Sequence, residues 1–195
     1  MTPPESTHQQ ISYIRSHLTR PVVLIGLMGS GKSRIGRKLA HTLELDFYDT
    51  DTLIEDKAGY SINEIFAQDG EAKFRSVERS TMIEVLGHGP CVVATGGGMV
   101  TNPGIPEILA TQAITIWLRA EIADILKRLK NARNRPLLKT EDPEAVLLGL
   151  QTAREPLYRQ AHITIESGQG APEETESRLI RALYDFLKNS NLQAT

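Results

Sequence analysis

The sequence predicts a three-layer α/β fold, with a five-stranded parallel sheet flanked by helices. Three observations carry that expectation. Short runs rich in β-branched residues alternate with stretches of helical apolar spacing, the order produced when crossover helices join parallel strands. One glycine-rich turn, Gly26-Leu27-Met28-Gly29-Ser30-Gly31, falls directly between such a strand and such a helix. Acidic and glycine-rich segments also follow the second and third strands, and ligands bind outside the carboxyl ends of strands in sheets of this kind.

Taken in chain order, Ile11, Ile14 and Leu18 recur at helical spacing and predict a short amphipathic helix within an N-terminal extension over residues 1–20. Val22–Leu27 is the first strand, and Ser33–Leu43 the helix after the glycine-rich turn. Asp46–Tyr48 is a short second strand. Ser61-Ile62-Asn63-Glu64 has capping-box spacing, which starts a helix that stops near Gly70, and a longer helix follows from Glu71 to Leu86. Cys91–Ala94, Ile114–Leu118 and Ile163–Ile165 are the remaining strands. Helices are expected over Glu121–Lys130, Pro143–Tyr158 and Glu173–Lys188, with a tail over 190–195. The interval Lys127–Lys139 concentrates Lys127, Arg128, Lys130, Arg133, Arg135 and Lys139 among Asn131, Asn134 and Pro136. It breaks helical periodicity and reads as a basic loop.

Composition fits one such domain. The 195 residues are 40% apolar and 24% charged, the mixture of an ordinary globular chain long enough to bury about 70% of its unfolded surface. A net charge of -2 does not supply the clustered basic surface that nucleic-acid binding needs, so no nucleic-acid partner is expected. The apolar run Val22–Met28 is far short of the roughly 20 residues that cross a bilayer, and the first twenty residues lack a secretory pattern. A single cysteine, Cys91, cannot form an intrachain disulfide, which makes a reducing, cytoplasmic location the expectation. His8, His17, His41, His88 and His162 show no metal-ligand spacing.

Chemistry begins at Gly26-Leu27-Met28-Gly29-Ser30-Gly31-Lys32-Ser33, which has the G-x-x-x-x-G-K-[ST] spacing of a P-loop. The glycines let successive backbone N–H groups converge on phosphate oxygens, and the helix start adds the positive end of its dipole. Lys32 is placed to reach the β- and γ-phosphates, and the Ser33 hydroxyl to ligate Mg²⁺. A P-loop specifies a nucleotide without specifying a reaction. Asp49 and Asp51 lie at the adjoining sheet edge, where one carboxylate can hold a water of the Mg²⁺ shell and the other can orient or deprotonate an attacking hydroxyl.

Phe74-Arg75-Ser76-Val77-Glu78 places Arg75 and Glu78 at i, i+3 on one helix face, so the carboxylate can fix the guanidinium. In Thr95-Gly96-Gly97-Gly98, three residues without side chains allow a ligand close to the backbone. Arg154-Glu155-Pro156-Leu157-Tyr158-Arg159 carries two more arginines just before the last strand.

Read in order, GLMGSGKS, DTD, FRSVE, TGGG, RPLL and REPLYR resemble the shikimate kinase family over about Pro21 to Lys188. That resemblance implies a nucleoside-monophosphate-kinase-like P-loop fold, a kinase domain over 21–189, a substrate-binding helical region near 54–86 and a lid near 130–140. It implies an ATP-dependent phosphotransferase that acts on the 3-hydroxyl of shikimate in chorismate and aromatic amino-acid biosynthesis. ATP is the co-substrate, one Mg²⁺ is expected per subunit, and the enzyme is expected to be a monomer. Asp51, Arg75, Gly96, Gly97, Gly98 and Arg159 are the implied shikimate contacts, with Asp51 the base and Arg75 and Arg159 on the carboxylate. Gly29, Ser30, Gly31, Lys32, Ser33, Arg34, Ile35 and Gly36 are the implied ATP contacts on the first helix and its turn, with Arg128, Gly170 and Pro172 around the adenine. Asp49 contacts Mg²⁺ through water, and Arg135 closes on the phosphates. A kinase for another polyol acid, such as gluconate, shares the P-loop and size, and a non-catalytic ATP-gated sensor shares the domain type. FRSVE, TGGG and LYR favour shikimate over gluconate, and Lys32, Ser33, Asp49, Asp51 and Arg135 together favour an enzyme over a sensor.

Overall fold

The computed structural model of the protein describes residues 6–129, 142–168 and 170–193. Its five strands are β1 (Val22–Ile25), β2 (Phe47–Asp49), β3 (Val92–Ala94), β4 (Ile114–Arg119) and β5 (Ile163–Glu166). They form one sheet in the order β2-β3-β1-β4-β5, and every pairing is parallel. The helices are α1 (Thr7–His17), α2 (Lys32–Leu43), α3 (Thr50–Ala58), α4 (Ile62–Gln68), α5 (Gly70–Leu86), α6 (Ile105–Gln112), α7 (Ile122–Leu129), α8 (Pro143–Tyr158) and α9 (Pro172–Gln193).

All four residues of β1 are buried, as a central strand covered on both faces requires. Val23 and Ile25 pack with Val93 and Trp117 against α5, α6, α7 and α8, where Met82, Leu109, Ile125 and Tyr158 complete the layer. Val22 and Leu24 point the other way and join Ile116 with Leu39 of α2, Leu183 of α9 and Ile14 of α1. The strand period of two thus separates the two helical layers. Ile54, Ile65 and Phe74 form a small satellite core among α3, α4 and α5.

Differences from the sequence expectations have local causes. β1 ends at Ile25 because Gly26 takes φ +140° and turns the chain into the loop. The segment after β2 is helical at once: Asp49 caps α3, its carboxylate accepting from the Asp51 N–H at 3.1 Å. Between β3 and β4 the sequence reading expects no helix, yet α6 forms there, preceded by a short 3₁₀ turn over Met99–Thr101. Gly104 starts α6 with φ +79°, Pro106 occupies its first turn, and Ile105 and Leu109 are buried at i, i+4. α9 continues to Gln193, beyond Lys188. The lid interval 130–140, with Arg133 and Arg135, lies outside the described residues. No helix among the described residues is long and apolar enough to cross a membrane.

The N-terminal helix is part of the core. Ser6 and Gln9 form a capping box, Ile14 is fully buried, and Leu18 is buried on the same layer. Arg15 donates to the carbonyls of Leu43 and Thr42, each at 3.1 Å, so α1 also closes the C-terminal end of α2. Cys91 is buried, and burial followed by the nearby Asp46 charge pushes its thiol up to about 11. Because Ile14 is enclosed, Ile14→Ala should destabilise the fold by about 2–5 kcal/mol in urea unfolding. An unchanged midpoint would mean that α1 does not dock.

Candidate active site

The order β2-β3-β1 brings three loops side by side at the carboxyl edge of the sheet. After β1 comes the P-loop, whose glycines Gly26, Gly29 and Gly31 all adopt positive φ. At Gly26 a Cβ would stand 2.6 Å from the Leu118 carbonyl oxygen, so both conformation and space require glycine. Lys32 curls back over the loop, its buried Nζ donating to Gly26 O and Leu27 O at 2.8 Å each. The Ser33 hydroxyl donates to Asp49 Oδ2 at 2.6 Å, which joins the first turn of α2 to the end of β2.

A cleft of about 380 Å³ opens beside the P-loop. Gly31, Arg34, Ile35, Arg128, Gly170 and Pro172 line it, all six among the ATP contacts that the family resemblance implies. Arg128 organises this end: it donates to Gly29 O at 3.2 Å and Ser30 O at 3.3 Å, and on the other side to Ser167 O at 3.0 Å and Gly168 O at 2.6 Å. Ser167, which sequence reasoning missed, adds a hydrogen bond from its hydroxyl to Ser30 O at 2.7 Å. Gly36 belongs elsewhere. A Cβ there would meet the Phe47 ring at 2.7 Å and Leu24 at 3.1 Å, so its function is to let α2 lie close on the sheet.

Across the P-loop, the three-glycine segment after β3 borders a second polar site. Asp51 lies against Gly96 so closely that a Cβ would come 2.6 Å from its Oδ1, and the Gly96 N–H donates to Thr50 Oγ1 at 3.2 Å. Arg75 donates from Nη1 to Glu78 Oε2 at 2.8 Å and to Gly98 O at 3.4 Å, while Glu71 holds its outer edge. The expected i, i+3 pair is therefore formed, with the carboxylate buried.

Arg159 is not brought to this site. It caps the end of α8 with its side chain 68% exposed, bonded to Glu155 at 2.7 Å. Arg154 arrives instead. Its Nη1 donates to Gly97 O at 3.1 Å, beside the Tyr158 hydroxyl, which donates to the same oxygen at 2.6 Å. A Cβ on Gly98 would stand 3.1 Å from Arg75 Nη1 and 3.7 Å from Arg154 Nη2, so guanidinium groups from two helices meet over one glycine. Burial pushes the Tyr158 phenol up to about 12, which keeps it a proton donor across the working pH range. The signal for Arg154 was present in helical phase: buried Leu147 and Tyr158 fix the inner stripe of α8, and Arg154 lies one turn before Tyr158 on that stripe. Arg159 falls a residue beyond it.

The family model described as shikimate kinase matches residues 28–184, most of the chain. The chain belongs to the shikimate kinase family. It is 41% identical over 174 residues to a shikimate kinase of Paramagnetospirillum magneticum, covering 89% of both chains. A solved shikimate kinase from Acinetobacter baumannii, in complex with shikimate, superposes with a TM-score of 0.83 at 36% identity, over 90% of this chain and 97% of that one. A gluconokinase from Sinorhizobium meliloti covers 90% of this chain and 98% of its own with a TM-score of 0.58 at 15% identity, a likeness of fold alone.

In this shikimate kinase family member, Gly26→Ala should weaken ATP binding about tenfold or more, since the loop must shift to clear Leu118 O. Titration calorimetry with ATP and with shikimate checks this, the shikimate affinity staying within about threefold by the same physical argument.

Proposed function

We propose that the protein transfers the γ-phosphate of ATP to the 3-hydroxyl of shikimate, yielding shikimate 3-phosphate and ADP, within chorismate and aromatic amino-acid biosynthesis. The observation that carries this reading is the meeting of Arg75 and Arg154 over Gly98, with Asp51 against Gly96 and the P-loop alongside. Two planar donor forks suit one substrate carboxylate, and the P-loop supplies the phosphate cradle.

Each side chain then has a task. Lys32 lies at the inner edge of the cradle, where its ammonium can pass from loop carbonyls to β- and γ-phosphate oxygens and offset charge as transfer proceeds. Asp51 orients the acceptor hydroxyl and takes its proton. Phosphoryl transfer passes through a loose transition state, so orientation is the larger part of that contribution. Arg128 and Pro172 border the adenine end of the cleft. Arg135 is assigned to the phosphates, and the monomeric state is assigned, through the family resemblance, while the cytoplasmic location follows from the single cysteine.

The oxygen pair Ser33 Oγ and Asp49 Oδ2 fits one Mg²⁺. No group of three or more His, Cys, Asp or Glu suited to a metal occurs among the described residues, and Mg²⁺ characteristically takes few protein ligands alongside water and phosphate oxygens. When bound, the ion neutralises charge on the β- and γ-phosphates.

Charge-assisted hydrogen bonds are worth roughly 1.5–3 kcal/mol, so Arg75→Ala and Arg154→Ala should each weaken shikimate binding about 10–100-fold with ATP affinity unchanged. Arg159→Ala should stay within about threefold, as expected for an exposed ion pair. Titration with shikimate decides between the arginines, and a large loss confined to Arg159→Ala would return the carboxylate site to the end of α8. Asp51→Asn can still accept a hydrogen bond but cannot take the proton, so kcat should fall while ATP affinity holds, and a loss of only a few-fold marks orientation as the larger part. Unchanged shikimate kinetics would remove Asp51 from the site.

A further inference from the structure

One buried amide touches the acceptor site from behind. Asn102 follows the 3₁₀ turn Met99–Thr101 and is 4% exposed. Its Nδ2 donates to the backbone carbonyl of Arg75 at 2.7 Å and to Glu78 Oε2 at 3.2 Å. That same Oε2 receives the Arg75 guanidinium at 2.8 Å. One side chain from the loop after β3 therefore grips both the backbone of Arg75 and the carboxylate that aims its guanidinium.

The chemistry of the pair explains why an amide suits this place. Glu78 is 1% exposed, and a buried carboxylate needs several donors to replace its lost water. Arg75 supplies one. A second cation at position 102 would compete with Arg75 for the carboxylate, and a second carboxylate would repel it. Asn102 supplies a neutral donor, which helps satisfy Glu78 and leaves Arg75 Nη1 on both Glu78 Oε2 and Gly98 O. Its other bond fixes the height of α5 against the loop that carries Gly97 and Gly98, the glycines that Arg154 reaches from α8.

We infer that Asn102 is a positioning residue for recognition of the substrate carboxylate, acting through Glu78 and Arg75. The inference rests on the reading that Arg75 binds that carboxylate. A role in packing alone would alter folding and every kinetic constant together, whereas a positioning role changes discrimination between a charged and an uncharged substrate.

The test compares kcat/KM for shikimate with that for an analogue whose carboxylate is replaced by a neutral hydroxymethyl group. The ratio, measured on one enzyme sample, cancels the fraction folded. Asn102→Ala should lower it about 5–10-fold, through the KM for shikimate, with the KM for ATP within about twofold. Asn102→Asp keeps the shape, replaces the donor by a carboxylate facing Glu78, and should lower the ratio at least as much. Arg75→Ala serves as the reference and should lower it about 10–100-fold. If Arg75→Ala retains the full ratio, the reading of Arg75 fails and the inference with it. If Arg75→Ala loses the ratio while both Asn102 variants stay within about twofold of the parent, the role of Asn102 alone is overturned.

Discussion

Two guanidinium groups over one glycine repel each other, and α5, α8 and the loop after β3 are organised around holding them there. Arg75 is tethered by buried Glu78 and by Glu71, and Arg154 by the Gly97 carbonyl, which Tyr158 also engages. Both glutamates lie on α5 with Arg75 itself, whereas Arg154 reaches from α8 to the loop after β3, which also accepts from Arg75 at Gly98 O, so α5, α8 and that loop must keep their relative positions for the charges to stay together. The satellite core of Ile54, Ile65 and Phe74 and the main core beneath Tyr158 supply that rigidity. Removing a tether frees a cation rather than merely losing a contact, and a freed cation is better solvated outside the site.

The nucleotide half solves a different problem. It must present backbone N–H groups outward, so its glycines adopt left-handed conformations and its carbonyls are turned back into the protein. Lys32 and Arg128 receive those carbonyls from opposite sides, Gly26 and Leu27 by the first, Gly29 and Ser30 by the second. The two halves share a boundary at Gly97, where a Cβ would stand 3.0 Å from the Met28 N.

How much of this the sequence disclosed follows from the range of the forces involved. The P-loop was legible because strand, turn and helix are consecutive, and the Arg75–Glu78 pair because its spacing is helical. α3 was hidden since Asp49, Thr50 and Asp51 are as much at home in a turn as in a helix cap, and α6 since Pro103, Gly104 and Pro106 punctuate its start. The docking of α1 depends on α9, at the far end of the sequence, with Asn191 reaching Tyr13. Arg154 and Arg159 look equivalent as composition; the phase of α8 separates them, and that phase is anchored by the burial of Leu147 and Tyr158.

Trp117 is the only tryptophan in the chain, and it lies under the boundary between the two halves. Its indole would touch a Cβ on Gly26 at 3.4 Å, stacks on the Tyr158 ring at a centroid separation of 5.8 Å, and has the Arg119 cation over it at the same distance. One neighbour belongs to the phosphate cradle, and another donates to the glycine loop of the acceptor site. The protein thus carries a single fluorophore wedged between the P-loop and the residue that holds the glycine loop after β3. Ring stacking and a nearby cation both govern indole emission, so displacement of either loop changes the light it gives out, with no label attached.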